Sequence, residues 1–333
     1  MEPRPAASCP FPGASPVTPR DTLDFTAIRV LDGAMATELE RRGSDISGPL
    51  WSARVLHESP ASIAAVHLDY LRAGADCIST ASYQVSRYGF SELGHAPATA
   101  ARLAEQALLQ SVAIAEQART LCALENPRRI WIAASLGPWG AALHNGAEYH
   151  GRYSLAFDDL VAFHAQRLDV LAATHADLIA FETIPSLEEA RAILRALAEF
   201  PALTAWLSFT CRDAAHVAHG EPLRACAETL APSPQIAALG INCTAPHLIA
   251  PLIAEARAGS PARKPVLVYP NSGETWDAAS RSWRGASDSP SARMADYGAL
   301  ARSWYDAGAQ AVGGCCRTGP AHIAAVAEAA RYR

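Results

Sequence analysis

The sequence predicts a single (β/α)8 TIM barrel over residues 26–333, with the active site at the C-terminal ends of its strands. Three observations predict it. First, short apolar runs alternate with longer segments carrying apolar residues at three-and-four spacing, and the alternation recurs eight times. Second, the short runs are apolar throughout instead of alternating, which is the pattern of strands buried on both faces. Third, Asp32, Tyr83, Glu182, Asn242, Cys243, Asn271, Cys315 and Cys316 all fall at or just beyond the ends of those runs, where such barrels carry their chemistry. A length of 333 residues is ordinary for one barrel with insertions.

The elements follow in order. Residues 28–32 form the first expected strand, and Gly33 lets the chain turn into a helix from about Ala36 to Arg42. A loop is expected over 43–57. Ser59-Pro60 then opens a helix that Gly74 ends. The second strand, 76–80, leads into Ala81-Ser82-Tyr83-Gln84, and a long helix spans about 97–124. The third strand, 130–135, is followed by an irregular excursion containing Trp139, His144, Asn145, Glu148 and Tyr149. Helix 155–175, strand 178–182 and helix 187–199 come next, then strand 203–210 and helix 221–230. Strand 236–242 delivers Cys243; helix 247–258 and strand 265–270 follow, and then a polar loop with Trp276 and Trp283. Helix 292–307, strand 309–313 and helix 320–330 finish the chain, with Cys315 and Cys316 just past the last strand.

Composition excludes several classes. Half the residues are hydrophobic, so a large core is available, and the net charge of -5 is spread without blocks of one sign. Nucleic-acid binding needs a basic face, which this balance does not provide. No apolar run approaches the ~18 residues that cross a bilayer. Residues 1–25 are rich in Pro, Ala and Ser and are expected to be a disordered leader. Eight cysteines without a secretory signal, in a chain too large to need staples, point to a reducing, cytoplasmic setting. Vicinal Cys315 and Cys316 are poorly placed to bond each other.

Three of the cysteines carry the functional argument. Cys243 follows one strand and Cys315-Cys316 another, so one barrel rim can bring three sulfurs together. Three thiolates with no fourth protein ligand form a zinc site that keeps a position open. Cys77, Cys122, Cys211 and Cys226 read as packed core. Glu182 ends a strand without a basic neighbour and reads as functional; Asp32 either caps the next helix or meets a substrate. The eleven histidines show no metal-ligand spacing.

At these residues the sequence resembles the homocysteine S-methyltransferase family. The likeness runs from about Val30 to Ala330 and is carried by Asp32-Gly33-Ala34-Met35-Ala36-Thr37, Gly240-Ile241-Asn242-Cys243 and Gly313-Gly314-Cys315-Cys316. Gly137-Pro138-Trp139-Gly140-Ala141, Tyr149-His150-Gly151-Arg152-Tyr153 and Tyr269-Pro270-Asn271-Ser272-Gly273-Glu274 look most like the branch that uses S-methylmethionine or S-adenosylmethionine. The betaine-dependent branch has similar cysteines but a C-terminal oligomerisation extension, so a monomer or small homo-oligomer is expected here. Cobalamin-dependent methionine synthase has a related homocysteine module. The resemblance implies that Cys243, Cys315 and Cys316 hold zinc, that Asp32 and Glu182 hold the homocysteine amino group, and that backbone near Gly33 and Met35 meets its carboxylate. Where the betaine branch has a tyrosine after the glutamate, this chain has Thr183.

The implied reaction makes methionine from homocysteine and a sulfonium donor, S-methylmethionine before S-adenosylmethionine. A free alkyl thiol has a pKa of about 8.5, and a metal ion deprotonates a coordinated thiol. An all-sulfur ligand set keeps that sulfur electron-rich, which suits alkyl transfer, whereas neutral histidines suit water activation. The rings of Tyr83, Trp139, Tyr149 and Trp276 are candidates to face a sulfonium, and Asn242 joins the substrate-facing set by its place at a strand end. Two alternatives stand beside this: a thiol redox or sensing protein using Cys315-Cys316, and a non-catalytic zinc-binding barrel.

Overall fold

The computed structural model describes residues 25–48, 50–260, 264–273, 275–277, 282–284 and 290–332. The leader expected over 1–25 lies outside the described residues except for Phe25. From the N-terminal side the helices are α1 (Met35–Arg41), α2 (Trp51–Glu58), α3 (Pro60–Arg72), α4 (Arg87–Glu92), α5 (Pro97–Glu125) and α6 (Trp139–Ala142). They continue as α7 (Phe157–Ala172), α8 (Leu187–Leu197), α9 (Leu223–Leu230), α10 (Ile249–Ala258), α11 (Pro290–Ala307) and α12 (Pro320–Ala330). Between them run β1 (Cys77–Ser79), β2 (Trp131–Leu136), β3 (Leu178–Ile184), β4 (Ala205–Phe209), β5 (Ile236–Asn242), β6 (Val266–Tyr269), β7 (Thr275–Asp277), β8 (Ser282–Arg284) and β9 (Ala311–Val312).

Seven strands make one parallel sheet in the order β1-β2-β3-β4-β5-β6-β9. The sheet curls until both its edges meet the same segment. Val30 bridges Val312 of β9 and Leu31 bridges Cys77 of β1, both in parallel sense. The expected first strand, 28–32, is therefore a pair of isolated bridges and not a strand. Its backbone has other partners: the Asp76 carboxylate takes the N–H groups of Arg29 and Val30 at 3.0 and 2.9 Å.

Other departures from the sequence expectation are local. The loop expected over 43–57 contains α2, an eight-residue helix with no side-chain cap, entered through Leu50 at φ 51°. Packing holds it, with Val55 and Leu56 buried. Helix α4 was not expected either, and the excursion after β2 contains α6 and a 3-10 turn, Ala147–Tyr149. The polar loop carrying Trp276 and Trp283 contains the antiparallel pair β7-β8.

Residues that alternate along the strands separate into two packed sets. One set lies between sheet and helices and includes Ile132, Ile179, Phe181, Leu207 and Ile241. The other lies inside the curl and mixes small residues (Ala133, Ala180, Ala238, Ala311) with Trp131, Trp206 and Tyr269. Phe25 meets Trp206 edge-on at 6.4 Å. Trp206 Nε1 donates to the Tyr269 hydroxyl at 3.0 Å, and Tyr269 in turn bonds Ser208. The apolar fill is thus coupled to a hydrogen-bonded chain that leads toward the C-terminal strand ends. Among the described residues, no helix is long and apolar enough to cross a membrane.

Candidate active site and metal centre

The C-terminal ends of the strands surround a cavity of about 270 Å³, close to the lower end of the sizes usual for small-molecule sites. All nine residues singled out from the sequence line it: Asp32, Gly33, Met35, Tyr83, Glu182, Asn242, Cys243, Cys315 and Cys316. Among the described residues, no lysine, arginine or histidine does. Asn271, also expected at the rim, is not part of the lining.

Three sulfurs converge. Cys315 Sγ lies 3.0 Å from Cys243 Sγ, and Cys316 Sγ lies 3.4 Å from it. Local backbone makes this possible. Cys243 leaves β5 at φ 50°, a left-handed turn, with its N–H on the Tyr269 carbonyl at 3.3 Å. Cys315 donates its N–H to the Pro270 carbonyl at 2.7 Å, and the Thr318 hydroxyl donates to the Cys315 carbonyl at 2.6 Å. Gly33 completes the packing: a Cβ there would lie 2.9 Å from the Tyr70 ring and 3.1 Å from the Thr318 carbonyl. Tyr70 in turn ties the turn after residues 28–32 to the cysteine turn, its hydroxyl 3.0 Å from the Ala34 carbonyl and 3.1 Å from that of Thr318.

These three cysteines form a group able to hold a metal ion, their sulfurs all within 4.8 Å of one another. A tetrahedral zinc site with Zn–S bonds of about 2.3 Å sets its sulfurs about 3.8 Å apart, so the cluster needs only small side-chain adjustments to accept the ion. Hydrogen bonds from the Cys243 and Cys315 thiols hold Cys316 well below the usual thiol range. Cys211 is buried beside Cys226 and is outside this group, as expected for core.

Two carboxyl groups share the cavity with the sulfurs. Asp32 is 7% exposed and its Oδ2 accepts the Ser79 N–H at 2.8 Å; that bond answers the capping alternative, since α1 has no side-chain cap. Burial pushes the Asp32 carboxyl well up, with the Glu182 charge adding to it. Burial likewise pushes Glu182 up to about 7, against a Ser135 hydrogen bond that lowers it. Glu182 Oε1 is buried with no hydrogen-bond partner. Two neighbouring acids without a cation are held at a cost that a bound ammonium would relieve.

The aim of Glu182 comes from a bulge. The β3-β4 register shifts between Phe181 and Ile184, and Thr183 sits at φ 60°, an outlier for a β-branched residue. Asn242 holds it there: its Oδ1 accepts the Thr183 N–H at 2.8 Å and its Nδ2 donates to Thr183 Oγ1 at 2.8 Å. Ser208 donates to the same Oδ1 at 2.9 Å. Asn242 lines the cavity, but the bonds it makes are to the protein.

The family model described as homocysteine S-methyltransferase matches residues 29–330. The chain belongs to the homocysteine S-methyltransferase family. It is accordingly a methyltransferase. It is 47% identical over 315 residues to "Homocysteine S-methyltransferase YbgG" of Bacillus subtilis, covering 93% of this chain and 96% of the relative. It is 44% identical over 309 residues to the homocysteine S-methyltransferase of Escherichia coli, covering 92% and 96%. The solved metallated form of the homocysteine methyltransferase MmuM from Escherichia coli superposes with a TM-score of 0.79 at 41% identity, covering 91% of this chain and 96% of that one.

Within this family member, two expectations need correction or completion. Trp139 does not line the cavity: its ring packs tilted against Tyr88 and edge-on to Phe163, with centroids at 4.5 and 5.1 Å. The Trp276 side chain lies outside the described residues. Tyr149 does reach the site, its hydroxyl 3.7 Å from Cys243 Sγ. Residues that the sequence named without a role also line the cavity, Gln84 and Glu148 among them. Their place in loops gave no periodic signal; only a lone acid in an aromatic excursion marked Glu148.

Proposed function

We propose that this enzyme is a zinc-dependent homocysteine S-methyltransferase that takes its methyl from a sulfonium, S-methylmethionine first and S-adenosylmethionine second, and releases methionine. The observation that carries the reading is the convergence of Cys243, Cys315 and Cys316 beside a pair of buried, cation-free carboxylates. The curled sheet is read as a (β/α)8 barrel, closed by the two bridges of residues 28–32 in the place of a first strand.

Cys243, Cys315 and Cys316 would hold the ion. Zinc, when bound there, supplies the Lewis acidity that keeps a substrate thiol deprotonated at neutral pH. The chain's own residues do the rest. Asp32 and Glu182 hold the homocysteine ammonium, and the proton that Glu182 carries up to about pH 7 leaves as that cation arrives. Asn242 fixes Thr183, and through it the direction of Glu182. In the step a thiolate and a sulfonium neutralise each other, which a dry site favours. Backbone groups near Gly33 and Met35, which line the cavity, meet the homocysteine carboxylate. The setting is read as cytoplasmic and the assembly as a monomer or small homo-oligomer.

A redox role for Cys315 with Cys316 finds less support, because both sulfurs also lie close to Cys243, at 3.0 and 3.4 Å, as members of one three-sulfur group. The test of the proposal is Cys243→Ala. Zinc content should fall below stoichiometry and methyl transfer to homocysteine should disappear with every donor. Turnover by a metal-free variant would refute it. A panel of S-methylmethionine, S-adenosylmethionine and betaine with the zinc-loaded protein fixes the donor.

A further inference from the structure

The scheme above leaves one carboxylate of the cavity without a task. Glu148 sits in the 3-10 turn Ala147–Tyr149, in the excursion after β2. It lines the same cavity as the cysteines, and its Oε2 is buried with no hydrogen-bond partner. It is not in the group of side chains able to hold a metal ion. Nothing among the described lining residues is positively charged, so no protein cation is there to answer it.

Its position separates it from the other two acids. The charge that acts on Asp32 is that of Glu182. Glu148 is instead close enough to Cys316 to feel its charge, and close enough to Tyr83 to act on that hydroxyl. The cavity thus has two anionic poles, one at Asp32 and Glu182 and one near the sulfurs. The second pole is held firmly. A Cβ on Gly140 would lie 2.4 Å from the Glu148 nitrogen, so only glycine allows α6 to pack so closely there. Asn145 Oδ1 accepts the Ala147 N–H at 3.0 Å, and the Tyr149 N–H reaches the Gly146 carbonyl at 3.0 Å.

A buried carboxylate oxygen without a donor is costly, and a ligand that brings N–H groups removes the cost. A sulfonium centre has a charge but no N–H to donate. An α-ammonium has three. We propose that Glu148 receives the α-ammonium of the methyl donor, so that the enzyme selects sulfoniums that are α-amino acids, with the rings of Tyr83 and Tyr149 left to face the sulfonium centre. This rests on the methyl-transfer reading and adds to it: each of two amino-acid substrates has its own anionic pole, and Glu148 sets the donor class.

The test compares S-methylmethionine with dimethylsulfoniopropionate, a sulfonium that has a carboxylate and no amino group, as substrate or as competitive inhibitor. Wild-type protein and Glu148→Gln are both loaded with zinc and assayed at saturating homocysteine. The substitution should lower kcat/KM for S-methylmethionine roughly 10- to 100-fold, mainly through KM. The constant for dimethylsulfoniopropionate should change by less than about twofold, and zinc stoichiometry and the KM for homocysteine should stay at wild-type values. Equal losses with both sulfoniums, loss of zinc or of homocysteine affinity, or an unchanged KM for S-methylmethionine would each overturn the assignment. Failure of the wild-type protein to move a methyl from S-methylmethionine would overturn the donor preference on which this inference rests, and that result is visible before the variant is made.

Discussion

Glu182 and Glu189 lie seven residues apart on one strand-helix unit, and their surroundings are opposite. Glu189 is fully buried with both oxygens engaged: Oε1 accepts the Trp139 N–H at 2.7 Å and meets His164 Nε2 at 3.0 Å, while Oε2 takes the Tyr153 hydroxyl. Arg167 completes the group. It donates to the Gly137 carbonyl at 2.9 Å and contacts His164 Nδ1 at 2.8 Å. Since the guanidinium can only donate, His164 Nδ1 must accept, which leaves the Nε2 proton for Glu189. Glu182 has an oxygen with no partner, and among the described lining residues there is no cation. A satisfied buried acid holds the fold; an unsatisfied one, kept at a cost, marks a place for a ligand. The two regions touch in function, because the Glu189 network anchors both ends of the excursion, at Trp139 and Tyr153, that brings Glu148 and Tyr149 to the site.

The contrast can be broken in four ways. The largest effect belongs to Glu189→Ala, which strands Arg167 and His164 in the interior and should lower unfolding free energy by about 3–5 kcal/mol, read by denaturant titration. A loss below about 1 kcal/mol would show that the network is not structural. Glu182→Gln should do the reverse. The native carboxyl holds its proton up to about 7 against an ordinary value of 4.5. Over that interval the folded state binds more protons than the unfolded one, so ligand-free stability falls as pH rises through it. At pH 8 the glutamine variant should gain up to about 3 kcal/mol, while its KM for homocysteine rises roughly 10- to 100-fold.

Asn242→Ala comes third. It removes the acceptor for the Thr183 N–H and the brace on its left-handed backbone, at a cost of about 1–3 kcal/mol. Its KM for homocysteine should rise with zinc content unchanged, since its side-chain bonds go to Thr183 and Ser208 and not to the sulfurs; loss of zinc would argue for a direct role at the metal centre. The smallest effect is a change of slope. Burial lowers His67 and His164 to about 4, so each favours the folded state less as pH falls from 6.5 toward 4. Glu182 opposes that trend between 7 and 4.5. Acid unfolding of Glu182→Gln should therefore be steeper than that of the wild type, and a parallel pair of curves would show that Glu182 titrates normally.

Much of the fold was legible because helix and strand periods are local. Strand 236–242 and helix 320–330 match the observed bounds, and most other elements agree within a few residues. Helix α2 and helix α4 were not legible: eight and six residues give too little periodicity, and their order comes from packing. Residues 28–32 read as a strand and have strand-like neighbours, but Asp76, distant in sequence, takes two of their N–H groups.

The sequence by itself determined which residues are the candidates for the chemistry. Residue type and position at the end of an apolar run were enough to single out Asp32, Glu182, Cys243, Cys315 and Cys316. Only the tertiary structure decided what each of them faces. The meeting of Cys243 with Cys315 across 72 positions, the bulge that aims Glu182 and the isolation of Glu148 all depend on how far the sheet curls and on the register between its strands. Local periodicity contains neither quantity, because curl and register are set by contacts between residues remote in the chain.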